Sequence, residues 1–78
     1  MKVNYKELSD RLALACMVAQ QADMDHFKEI LDEALEKVSQ LFHKRHRDAE
    51  TRNRIQSIIS LYKRKCLEEF NKSHNFGT

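Results

Sequence analysis

Residues 25–43 read DHFKEILDEALEKVSQLFH, and their spacing decides the fold. Phe27, Ile30, Leu31, Ala34, Leu35, Val38, Leu41 and Phe42 recur three or four positions apart or side by side. In a helix they gather into one apolar stripe with the charges opposite. The segment predicts a helix over 25–43. Asp23 and Asp25 are its candidate N-caps, and the acids place negative charge at the positive end of the helix dipole.

Nothing around this segment forces the backbone out of helical geometry. The chain of 78 residues has no Pro, and its one Gly is Gly77. Pro removes a backbone donor and clashes with the preceding turn, and an interior Gly weakens a helix by roughly 1 kcal/mol. A chain that excludes both and keeps a 3.6-residue apolar period specifies an all-α fold.

Toward the N-terminus a second helix announces its own start. Asn4 and Glu7 form a capping-box pattern in which the Asn side chain accepts from the Glu7 amide and the Glu reaches back. Val3 and Leu8 occupy the two positions of a hydrophobic staple. Leu8, Leu12, Ala15, Ala19 and Ala22 trace one face of a helix over about 5–22. Leu14, Met17 and Val18 lie off that stripe, so the middle of this helix is apolar nearly all round. Such a helix is normally covered on more than one side.

Toward the C-terminus, residues 43–54 hold one apolar residue, Ala49, among twelve. Ile55, Ile58, Ile59, Tyr62, Cys66 and Phe70 then form a third stripe, flanked by Leu61 and Leu67, on a helix over about 49–71 that Asp48 can cap. A coiled-coil rod keeps its apolar repeat without such a lapse, so the polar stretch predicts a turn near 45–49. The helices over 25–43 and 49–71 then form an antiparallel hairpin with the N-terminal helix packed alongside. Residue i falls opposite residue 94 − i, which sets the acidic ridge Asp25, Glu29, Asp32, Glu33 and Glu36 against Lys63, Arg64 and Lys65. Residues 1–72 make one domain, and 73–78 form a frayed polar tail.

The net charge of +2 conceals a segregation. Residues 1–42 carry −3, residues 43–65 carry +6 and residues 66–78 carry −1. Lys44, Arg45, Arg47, Arg52 and Arg54 surround the turn, with His43 and His46 among them. This basic patch reads either as a cation knob for nucleic acid or an acidic protein groove, or as a solvated turn that offsets the negative end of the preceding helix.

Chemistry-bearing motifs are missing. No Gly-rich phosphate loop, GxSxG or HExxH pattern occurs, so the chain reads as a non-enzyme without cofactor or metal. His43 and His46 can share a helix face three residues apart, but a metal needs a third ligand. Cys16 and Cys66 lack CxxC spacing and read as two reduced thiols, which makes the expected location cytoplasmic. No run approaches the ~20 apolar residues of a membrane span. A helix-turn-helix DNA reader usually has a tight Gly-containing turn, and here the connection is long and polar.

A domain this small has a core that contributes only about 3–5 kcal/mol, so association is expected. Helical modules of this size are common among small accessory proteins of phages and plasmids: adaptors, inhibitors and subunit chaperones. That likeness is architectural and carries no activity. The function expected is a protein–protein interaction module or homo-oligomer that docks through Leu14, Met17, Val18 and Leu61. The alternative is a nucleic-acid-binding or regulatory protein using the basic 43–65 segment. No membrane or small-molecule substrate is expected as a partner.

Overall fold

The computed structural model describes residues 2–73, and it is all-α. Three helices follow one another: α1, Tyr5–Gln20; α2, Phe27–Arg45; α3, Ala49–Ser73. They pack into a body 47 Å long and 18 Å across. The expected tail, 73–78, lies outside the described residues apart from Ser73, which ends α3.

Local chemistry sets each boundary. Asn4 Oδ1 accepts from the Glu7 amide at 3.0 Å, the expected N-cap of α1. The reciprocal half of the box is replaced. Glu7 instead accepts from Arg45 at 2.9 Å and Arg11 at 3.1 Å. A charged, two-pronged partner outcompetes a neutral backbone amide for a carboxylate. Those guanidiniums, Arg45 foremost, hold the Glu7 carboxyl below its ordinary range.

α1 stops two residues short of the expected Ala22. The amides of Gln21 and Ala22 turn back to the carbonyls of Val18 and Ala19, the tighter pattern that closes a helix end. Asp23 then bridges the connection by accepting from the His26 amide at 3.0 Å and its ring Nδ1 at 2.6 Å. Asp25 contributes through its backbone, which also hydrogen-bonds the Asp23 carboxylate. α2 begins at Phe27, two residues later than expected, because the Asp23 turn is completed first.

The long-rod alternative is excluded at His46, whose backbone is extended at φ −127° and ψ 106°. Asp48 then caps α3, accepting from the amide and hydroxyl of Thr51 at 2.9 and 3.0 Å. Both donors favour the ionised carboxyl and hold Asp48 below its ordinary range.

The core is one cluster drawn from all three helices. Leu8, Leu12, Ala15 and Ala19 supply α1's share, and Phe27, Leu31, Leu35, Val38 and Phe42 supply α2's. Ile55, Ile59, Cys66 and Phe70 supply α3's, while Leu41 and Tyr62 pack against it half-buried. The Phe27 and Phe70 rings stack with centroids 3.8 Å apart. Between α2 and α3, Lys63 Nζ lies 2.7 Å from Asp32 Oδ1, and Ser39 donates to Gln56 at 3.2 Å. Between α1 and α3, the hydroxyls of Ser9 and Tyr62 share a hydrogen bond.

Cys16 and Cys66 correct the sequence reading: they are joined as a disulfide, with Cα atoms 6.0 Å apart. That spacing falls in the usual range for such a bond. The bond ties α1 to α3 across 50 residues of chain. The cytoplasmic expectation rested on reduced thiols and loses that support, since disulfides persist mainly in oxidising surroundings.

The α1–α2 connection carries a pH signature. The Asp23 carboxylate raises His26 above its ordinary 6.5, by their hydrogen bond first and by charge second. His26 in turn holds Asp23 below 3.8. The His contribution is complete below the ordinary His value and is lost as pH rises through the raised one. The Asp contribution is present above the ordinary Asp value and is lost as pH falls through the depressed one. The pair therefore supports the turn best between about pH 4 and pH 6.5. On raising pH from about 6 to about 8, the melting temperature should fall more for the parent chain than for His26→Gln. Equal slopes in a thermal melt series would contradict the assignment.

Candidate interaction surface

α1 turns Leu8, Leu12, Ala15 and Ala19 inward and leaves a second apolar set on its outer side. Leu14, Met17 and Val18 keep 59%, 58% and 47% of their surface exposed. They stand three and four residues apart, so one helix face presents all three. Ala13 is exposed beside them. Core formation leaves this face uncovered because two neighbouring helices occupy only part of α1's circumference.

Leu61 is exposed at 47% on α3, but it lines a different depression. Its neighbours there are Asn53, Gln56, Ser57, Ser60 and Arg64, all from α3. Leu14 borders a shallow hollow with Asn4, Lys6, Glu7, Asp10 and Arg11 at the start of α1. The two hollows share no lining residue. Met24, exposed at 52% in the α1–α2 turn, was missed by the sequence reading.

The basic patch is largely engaged within the bundle. Arg45 bonds Glu7 at 2.9 Å, linking the end of α2 to the start of α1, and lies 5.4 Å from the centre of the Phe42 ring. Arg52 donates to the carbonyls of His46 and His43 at 3.0 and 3.1 Å. Carbonyls at a helix C-terminus lack intrahelical donors, so Arg52 acts as a side-chain cap for α2. Arg54 stands 3.7 Å from Glu50. Lys44 and Arg47 are exposed.

His43 and His46 do not share a helix face, because α2 ends at Arg45 and His46 is extended. His46 is buried, and His43 Nε2 is buried without a hydrogen-bond partner. Among the described residues, no three His, Cys, Asp or Glu side chains assemble as metal ligands. His43 also borders a groove of about 650 Å³ between α2 and α3 that was not anticipated. Its polar walls largely satisfy one another through the Asp32–Lys63 and Ser39–Gln56 pairs.

No family model, curated protein or solved structure matches this chain. Among the described residues, no helix is long and apolar enough to cross a membrane.

Proposed function

We propose that this chain is a small non-enzymatic interaction module, of the adaptor, inhibitor or subunit-chaperone kind, that docks through the outer face of α1. The observation carrying this is that Leu14, Met17 and Val18 remain about half exposed on one helix face once the core is closed. Soluble chains seldom leave contiguous large apolar side chains uncovered unless something else covers them. Met17 suits such a surface because its thioether side chain adapts to the partner's shape. Burial of these groups against a partner helix completes the bundle.

The framework presenting this face is an antiparallel α2–α3 hairpin with α1 alongside. Two cross-helix pairs, Asp32–Lys63 and Ser39–Gln56, support that arrangement. In both, the residue numbers sum to 95, against the 94 expected for a fold about residue 47. The single ion pair matters more for register than for stability, since exposed pairs contribute under about 1 kcal/mol. The rival reading, a nucleic-acid or regulatory surface on 43–65, is weakened because Arg45, Arg52 and Arg54 have partners within the chain.

Immobilising the oxidised chain beside two variants tests the proposal. Proteins retained from an extract of its source cells should be lost on Leu14→Glu/Met17→Glu and kept on Lys44→Ser/Arg47→Ser. The same retained set on all three surfaces would overturn it. Retention of duplex DNA at low salt, abolished by Lys44→Ser/Arg47→Ser and falling steeply as salt rises, would favour the rival.

A further inference from the structure

We infer that the Cys16–Cys66 bond is a redox latch on the C-terminal end of α3. A thiol reductant that opens it frees residues 64–72 from the bundle and uncovers Phe27, while α1, α2 and the first half of α3 stay packed. The inference is independent of the reading of the α1 face.

The two halves of α3 are held differently. Asp48 caps the first half, Arg52 reaches back to the carbonyls of His43 and His46, and Ile55 and Ile59 are buried. Gln56, Tyr62 and Lys63 pair with Ser39, Ser9 and Asp32 on the other two helices. From Arg64 onward the surface chemistry changes: Arg64, Lys65, Glu68, Glu69, Asn71 and Lys72 are all exposed. This segment turns Cys66 and Phe70 inward, with Leu67 half-buried beside them. Cys66 is bonded to Cys16 on α1, and the Phe70 ring stacks on Phe27 of α2. The bond thus ties down a segment with a small apolar footprint.

Opening a helix end returns backbone freedom to each residue released, and such ends open at less cost than a core. Burial of Phe70 and part of Leu67 stands against that gain. With the bond closed, Cys66 cannot leave Cys16, so fraying stops there. With the bond open, fraying runs back to Lys63, where the Asp32 pair is the next tie. Phe27, 2% exposed beneath the Phe70 ring, then meets water.

Cys16 is half-buried and Cys66 is 3% exposed, so attack enters at Cys16. The thiolate of a small thiol such as glutathione bonds to Cys16 Sγ, and the electron pair of the broken bond leaves on Cys66, which takes a proton. A second thiolate attacks the sulfur of the bound thiol, and Cys16 leaves with the pair and takes a proton. Two thiols end as one disulfide, both cysteines end reduced, and two protons pass from the thiols to them. Burial disfavours a thiolate, and opening the segment carries Cys66 into water. Bond cleavage and movement therefore favour each other.

NMR Cα shifts and amide exchange, recorded on the oxidised chain and in excess dithiol at low temperature, test the latch. The oxidised chain should show helical shifts through Phe70. On reduction the shifts of 66–72 should move to coil values. Their amides should exchange about tenfold or more faster than those of 52–60 in the same sample. Helical shifts over 27–45 and 49–60 should persist, and reoxidation should restore the first pattern. Oxidised Phe70→Ala should stay helical through Cys66, which assigns the hold to the bond and not to the ring.

Three results would overturn the inference. A reduced chain that stays helical over 66–72 shows that packing alone closes the segment. Helical shifts lost along all three helices on reduction show that the bond holds the whole fold and not its end. Coil shifts from residue 64 onward in oxidised Phe70→Ala show that the ring does the holding.

Discussion

Loss of the Cys16–Cys66 bond is expected to destabilise the bundle by about 4 kcal/mol. The bond closes a loop of 50 residues, and the chain-entropy relation for a loop of that length gives a value of this size. A 78-residue domain has little stability to spare, because its core contributes only about 3–5 kcal/mol. The loss is therefore comparable to the whole. Each 1 kcal/mol shifts the melting temperature of a domain this size by about 4–8 °C, so the expected fall is about 15–30 °C. Cys16→Ser/Cys66→Ser, or the parent chain in excess dithiol, should show it by circular dichroism. A shift under about 5 °C would mean that the bond adds little to what packing already holds.

Truncating Leu12 and truncating Leu14 should have very different consequences, although the residues are two positions apart. Leu12 is fully buried and Leu14 is 59% exposed. Leu12→Ala removes buried methyl groups and opens a cavity where α1 meets the cluster, at a cost of about 2–5 kcal/mol. Leu14→Ala removes a side chain facing solvent. Leu and Ala have similar helix propensity, so stability should change by no more than about 0.5 kcal/mol. Urea unfolding of dilute samples, where association does not contribute, measures both. A Leu14→Ala loss matching that of Leu12→Ala would show that this chain's own core uses the outer face.

The helices and the division of α1 into two faces were legible because both depend on local spacing. Leu8, Leu12, Ala15 and Ala19 had to share one side, and Leu14, Met17 and Val18 then had to face elsewhere. The caps at Asn4 and Asp48 were legible for the same reason, since each bonds three residues along the chain.

What escaped depends on which helices become neighbours. Cys16 lies at the edge of α1's inner stripe and Cys66 on α3's, and only the side-by-side placement of α1 and α3 brings them together. The basic turn shows the same limit. Arg45 and Arg52 look like free cations in a polar stretch, yet one reaches Glu7, 38 residues away, and the other caps α2. The breaks at Gln20 and Phe27 moved by two residues because hydrogen bonds in the connection finish before α2 begins.

Methyl NMR with a soluble paramagnetic relaxation agent, recorded across a dilution series, probes the outer face of α1 most directly. In dilute solution the Leu14, Met17 and Val18 methyls should be strongly broadened while those of Leu12 and Ile55 are not. Outer methyls that resist broadening in the most dilute sample would contradict the account.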